Sequence, residues 1–255
     1  MSEENKVEKL KELGLSTEPT SISKNWIHQK FILVAPSKWG KSTLLSHSTN
    51  HYFIRLENRF NHLQTVGEDC RCYKDLEKVL TKLNKAIIAN LFSIDTLIID
   101  PFDKVIDFID DEIVEWAIEK YANSDNIIGL GDIPEGNGWR RRTVMVNSLL
   151  ETLEDLPCAK FLVFHSFTEE KTDRKGQKTK KNSIDVGGKA GGKIKGWADH
   201  ILHGEILTVG DKEVRRLRTR GTEFMEAGNS VGMPDPFPIG IDMNENFTKL
   251  RSYFS

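Results

Sequence analysis

The chain has 255 residues, 38% of them hydrophobic and 29% charged, with a formal net charge of −2. That suits one large α/β domain, or a domain with a small appendage, and the near-zero net charge leaves any argument about partners to local charge. No apolar run is long enough to span a bilayer. The start, MSEENKVEKL, is not signal-like, and three cysteines point to a reducing cytoplasm rather than a disulfide framework.

Residues 1–24 are polar and read as an N-terminal arm, a place for a partner to bind. Val7, Leu10, Leu13 and Leu15 fit one short amphipathic helix ended by Gly14 or Pro19. Residues 25–255 read as the main domain. Asn25 to Gln29 lead into Phe31-Ile32-Leu33-Val34, an apolar run with the character of a buried parallel strand. Ala35, Pro36, Ser37, Lys38, Trp39, Gly40, Lys41, Ser42 and Thr43 follow, and Leu44-Leu45 continue a helix. This is a strand, a phosphate-binding loop and a helix, with Ala35 in place of the usual first glycine. Backbone N–H groups of such a loop point at phosphates. Lys41 adds a positive charge for the β- and γ-phosphates, and Ser42 a hydroxyl for Mg²⁺. The bland alternative is a Gly-Lys-Ser surface turn.

His51 to Glu57 reads as a strand that ends in Glu57, at the sheet end where open α/β folds bind ligands. A solvated strand-end charge is the plain alternative. Cys70, Cys72 and nearby His62 lack the second cysteine pair of a metal site and read as structural. Asp75 to Asn90 carries Leu76, Val79, Leu80, Leu83 and Ile87 at helical spacing. Ile94 to Asp100 is a second apolar strand ending in an acid, which in nucleotide sites holds Mg²⁺ through water. Phe102 to Tyr121 reads as a helix, and the glycine-rich stretch 123–139 as a long loop. Arg140, Arg141 and Arg142 open a helix to about Leu156.

Ala159 to His165 is another buried strand. His165 sits where a group reads the γ-phosphate, or equally is a hydrogen-bonded strand-end histidine. Residues 171–195 hold nine Lys or Arg, five Gly and no aromatic residue, and read as a flexible basic loop. Its Lys175, Lys178, Lys180, Lys181, Lys189 and Lys193, with Arg140 to Arg142, are the candidate contacts to a nucleic-acid backbone; a solvated linker is the alternative. Trp197 to Leu202 and Ile206 to Val209 look like strands, and Gly210-Asp211 turns into a hairpin strand, Glu213 to Arg220. Alternation puts Arg218 and Arg220 on one face, a cationic pair that calls for an anion.

The order of these parts resembles the RecA-like P-loop NTPase core: a mostly parallel central sheet flanked by helices, with a C-terminal antiparallel hairpin. It is most similar to compact phage-encoded ATP-binding proteins of that group associated with single-strand annealing and recombination. The resemblance spans about Ile27 to Leu250. It implies an ATPase using ATP and Mg²⁺, cytoplasmic in a host cell, with no membrane partner. Glu57 then polarises the attacking water, and Asp100 organises Mg²⁺. His165 couples the γ-phosphate to a DNA-binding loop, and segments 123–139 and 171–195 contact single-stranded DNA. Arg218 and Arg220 reach the ATP of a neighbouring subunit in a ring or filament, and an annealing or single-strand-binding protein is the expected partner. Two other readings remain open. One is a nucleotide-binding scaffold with little turnover that recruits replication or recombination partners. The other is a small-molecule kinase, against which stands the want of an arginine-rich lid.

Overall fold

The computed structural model describes residues 3–16, 24–57, 60, 62–121, 126–172, 178–184 and 186–254. Among them are nine strands: β1 Lys30–Ala35, β2 His51–Arg55, β3 Gly67–Asp69, β4 Thr96–Asp100, β5 Ala159–Thr172, β6 Lys178–Ile184, β7 His200–Val209, β8 Lys212–Arg218 and β9 Phe237–Ile239. The α-helices are α1 Glu3–Glu12, α2 Lys41–Ser46, α3 Tyr73–Ile88, α4 Phe102–Lys120, α5 Asn137–Glu154, α6 Gly188–Trp197 and α7 Met243–Arg251.

The strands lie in the order β3-β2-β4-β5-β1-β7-β8-β9. The first six run parallel, and β8 and β9 close the sheet as an antiparallel edge. β1 lies in the middle, buried on both faces, which is why its sequence is an unbroken apolar run. Its alternation still sorts two cores. Phe31, Leu33 and Ala35 face a layer that includes Leu44 and Leu45 of α2 and Phe247 and Leu250 of α7. Ile32 and Val34 face the layer built by α3, α4, α5 and α6. Trp26 anchors the entry to β1, its indole N–H donating to Thr96 Oγ1 at 3.0 Å.

Three expectations are corrected. Residues 171–195 are not a continuous loop. β5 runs on past the sheet to Thr172 and pairs with β6, and α6 follows. The register sets Glu169 opposite Lys181 and Glu170 opposite Lys180, pairings of opposite charge that favour a hairpin. These glutamates lie just outside the stretch, whose own acids are Asp173 and Asp185. In α6, Ala190, Gly191 and Ile194 are buried, and a side chain on Gly191 would sit 1.9 Å from the Val186 carbonyl. Gly191 there allows close packing rather than flexibility. Lys175 lies outside the described residues, as do the side chains of Lys178, Lys180 and Lys181.

Trp197 ends α6 rather than starting a strand, and β7 is one unbroken strand. The loop assigned to 123–139 is shorter than expected, because short 3₁₀ turns occupy 130–132 and 134–136 and α5 begins at Asn137.

One buried group gives the fold a pH signature. His200 is fully buried, stacked on Phe31 with centroids 4.8 Å apart, and bonded through Nε2 to Gln29 Oε1 at 2.9 Å. Burial pushes its pKa down to about 4, from 6.5 in the unfolded chain. Between those values the unfolded chain takes up a proton that the folded chain refuses, so the stability His200 contributes falls as pH drops from 6.5 towards 4. The whole shift corresponds to about 3 kcal/mol. Chemical denaturation of His200→Gln and the unaltered protein across this range should show the gap between them narrowing as pH falls. A gap that stays constant means His200 is not the group responsible.

Candidate nucleotide-binding site

The C-terminal ends of β1, β2 and β4, and the end of the parallel part of β5 at His165, converge on one cavity of about 460 Å³. The register explains why. Ala35 pairs with His165, Arg55 with Asp100, and Glu57 lies two residues past the end of β2. The walls include Lys41 and Ser42 from the loop, Glu57, Asp100 and His165. Four separate strand ends thus deliver the residues singled out in the sequence to a single place.

Ser37, Lys38, Gly40 and Thr43 also line the cavity, whereas Ala35 and Trp39 turn into the core. Trp39 is fully buried, its indole N–H donating to the Glu205 carbonyl at 3.1 Å. It fits only because β7 carries Gly204, where a side chain would come within 2.6 Å of the indole. The tryptophan replaces loop flexibility with a core anchor. Lys38 and Gly40 have φ of 64° and 100°, which turn the loop tightly. Gly40 has Met243 and Arg215 packed outside it, 3.2 and 3.5 Å from where a side chain would begin. Pro36 contributes its carbonyl, which accepts from Lys41.

Lys41 is buried and its ammonium donates to the carbonyls of Ala35 and Pro36 at 2.7 and 3.2 Å. Burial pulls its pKa down, and the charges of Asp100, Asp103 and Glu57 resist the change. Ser42 Oγ donates to Asp100 Oδ2 at 2.5 Å. Burial pushes the Asp100 carboxyl up to about 6, against the Ser42 hydrogen bond, Lys41 and His165. A desolvated carboxylate beside a hydroxyl is a pair of hard oxygen donors short of positive charge, which fits Mg²⁺.

His165 is held by Asp103, in the first turn of α4. Asp103 Oδ2 lies 2.9 Å from His165 Nδ1, and Oδ1 accepts the His165 backbone N–H at 3.3 Å. That bond raises the imidazole pKa, with burial opposing. Asp103 was missed in the sequence, although it stands only three residues beyond Asp100. Phe60 and His62 also stand in the cavity wall; the sequence marks His62 only beside Cys70 and Cys72, and Phe60 carries no pattern.

The expected arginine pair is corrected. β8 ends at Arg218, so Arg220 lies beyond the strand. The anion it called for is in the same chain. Asp235 Oδ2 binds Arg218 Nη2 at 2.9 Å, and Oδ1 accepts from Arg218 Nε and from the backbone N–H groups of Thr219 and Arg220. Neither arginine lines the cavity.

Arg140, Arg141 and Arg142 also part company, since successive helix positions point in different directions. Arg140 bonds Asn137, Arg141 lies over the Trp116 ring, and Arg142 pairs with Asp110 at 3.1 Å. A second cavity, of about 480 Å³, lies between the starts of α5 and α6, walled by Trp139, Arg140, Arg142 and Lys189 among others. Trp139 is 53% exposed. Lys189 and Lys193 are exposed one helical turn apart on α6.

The sheet order, the phosphate loop after its central strand and the acids at neighbouring strand ends define a P-loop nucleotide-binding fold. Residues 27–231 match the model of a family described as AAA domain. The chain belongs to that family. No curated protein sequence matches the chain. Among solved structures, a KaiC-like protein from the hyperthermophilic archaeon Pyrococcus horikoshii is similar with a TM-score of 0.47 and 12% identity, over 85% of this chain and 87% of that one. Among the described residues no helix is long and apolar enough to cross a membrane.

Proposed function

We propose that the protein is a Mg²⁺-dependent ATPase whose turnover is coupled to single-stranded DNA. The observation that carries the first part is the meeting of Lys41, Ser42, Glu57, Asp100 and His165 around one cavity. Lys41 would exchange its two carbonyl partners for phosphate oxygens, a stronger, charge-assisted bond. Ser42 and Asp100 would hold Mg²⁺, which neutralises phosphate charge when bound. Glu57 orients and polarises the attacking water, and His165 meets the γ-phosphate.

The DNA part of the proposal moves from the basic hairpin to the cleft between α5 and α6. Trp139 offers a face for a base, and Lys189 and Lys193 offer charge to the backbone. Stacking of one base is worth about 1–3 kcal/mol, so Trp139→Ala should weaken single-strand binding by roughly tenfold or more, across sequences. Lys189→Ala should flatten the salt dependence by about 0.7 in log–log slope. Fluorescence anisotropy with a labelled oligonucleotide reads both, and unchanged affinity and slope would remove the cleft from the account. Assembly as a ring or filament, and work beside an annealing protein in phage recombination, belong to the same proposal. Arg220, whose side chain is exposed, is then a better cross-subunit residue than Arg218, which Asp235 holds.

A further inference from the structure

A cation that meets the γ-phosphate can come from the subunit that binds the nucleotide or from a neighbour. Lys41 is one such group, but it belongs to the loop and serves binding as much as turnover. Arg218 is held by Asp235 in its own chain and lies away from the cavity. His165 lines the cavity, and its Nδ1 and backbone N–H are both turned to the one carboxylate of Asp103. The other ring nitrogen, Nε2, has no partner among the described residues and is not among the buried unpaired atoms. An imidazole so held leaves one nitrogen open to the cavity.

We propose that Asp103 is a positioning residue, which fixes the ring of His165 with Nε2 toward the γ-phosphate and keeps that nitrogen protonated, so that His165 supplies the transition-state cation from within the subunit. This rests on the ATPase reading above. The chemistry follows from the proton count. With Nδ1–H committed to a carboxylate, a neutral ring presents Nε2 as a lone pair, which repels phosphate oxygen. A ring protonated on both nitrogens donates Nε2–H instead, and Asp103 balances its charge. Preorganised donors of this kind act where charge develops in the transition state.

The charged groups around the ring come from four elements. Asp103 on α4 and Glu57 beyond β2 favour the imidazolium, and Lys41 on α2 disfavours it. Asp100 at the end of β4 is a further acid in the same cavity, and His62 also lines it. Asp103 is the one in hydrogen-bond contact. Its removal therefore lets His165 lose its proton at lower pH.

The test is steady-state hydrolysis against pH for four proteins: unaltered, Asp103→Asn, His165→Gln and the double variant. Asp103→Asn should lower kcat by about tenfold to a hundredfold with little change in KM, and move the alkaline fall in kcat to lower pH. Asp103→Glu, which keeps a carboxylate, should recover part of the loss. His165→Gln should lack that alkaline fall, and adding Asp103→Asn to it should cost nothing more. If the alkaline fall stays put in Asp103→Asn, or its loss of kcat persists in full on the His165→Gln background, Asp103 does not act through His165. Hydrolysis that is normal in the unaltered protein while either of those holds overturns this inference alone. No hydrolysis by the unaltered protein overturns it together with the ATPase reading.

Discussion

Lys41→Ala should lose nucleotide binding by about a hundredfold or more and retain no measurable turnover, with its fold intact. The expected size comes from leaving buried phosphate charge without its partner, a loss of about 3–5 kcal/mol when one member of a buried ion pair is removed. The fold survives because the ammonium belongs to neither hydrophobic core. In the folded chain it bonds only two loop carbonyls, Ala35 and Pro36, and its burial is already unfavourable to its charge. Calorimetric titration with Mg²⁺-ATP and a thermal melt separate the two effects. Wild-type affinity in a folded variant would put the nucleotide elsewhere.

Glu57→Gln should leave ATP affinity within a few fold of the original and lower kcat by about 10²–10⁴, the range typical of a positioned general base. The reasoning is that a water-orienting carboxylate acts in the transition state, so its loss appears in kcat rather than in binding. Its location agrees with that role. Glu57 lies in the cavity wall beyond β2, and its charge is felt at Lys41, Asp100 and His165 alike. Glutamine keeps the shape and the hydrogen-bonding oxygen but not the charge. Single-turnover hydrolysis compared with binding of a fluorescent nucleotide reads the two quantities, and undiminished turnover would return Glu57 to the status of a surface acid.

The phosphate loop, the strands leading to Glu57, Asp100 and His165, and the antiparallel edge were legible because each follows from a local rule, although β2 stops at Arg55 and β5 runs on to Thr172. An apolar run bounded by a polar residue marks a buried strand end, and parallel strands bring such ends together. What escaped depended on residues far apart in the chain. Trp39 points inward only because Gly204, on β7, leaves room. The arginine pair near the C-terminus needed an anion, and nothing in its own neighbourhood revealed that Asp235 would supply it. The basic stretch misled for a different reason. Its composition was read without the glutamates opposite, and its glycines were read as freedom where Gly191 is a close-packing residue in α6. Asp103 is the intermediate case, three residues from a recognised acid yet given meaning only by the register that brings His165 alongside.

The central claim is that one cavity takes ATP and a divalent ion with the residues in these roles. A crystal structure of Glu57→Gln with ATP and Mn²⁺ in place of Mg²⁺ tests it most directly, because the anomalous signal locates the metal and the slow variant preserves the nucleotide. The account predicts a metal peak beside Ser42 and Asp100, with the β- and γ-phosphates against Lys41 and the γ-phosphate facing His165. A nucleotide bound away from the 35–43 loop, or a metal held by neither Ser42 nor Asp100, would contradict it.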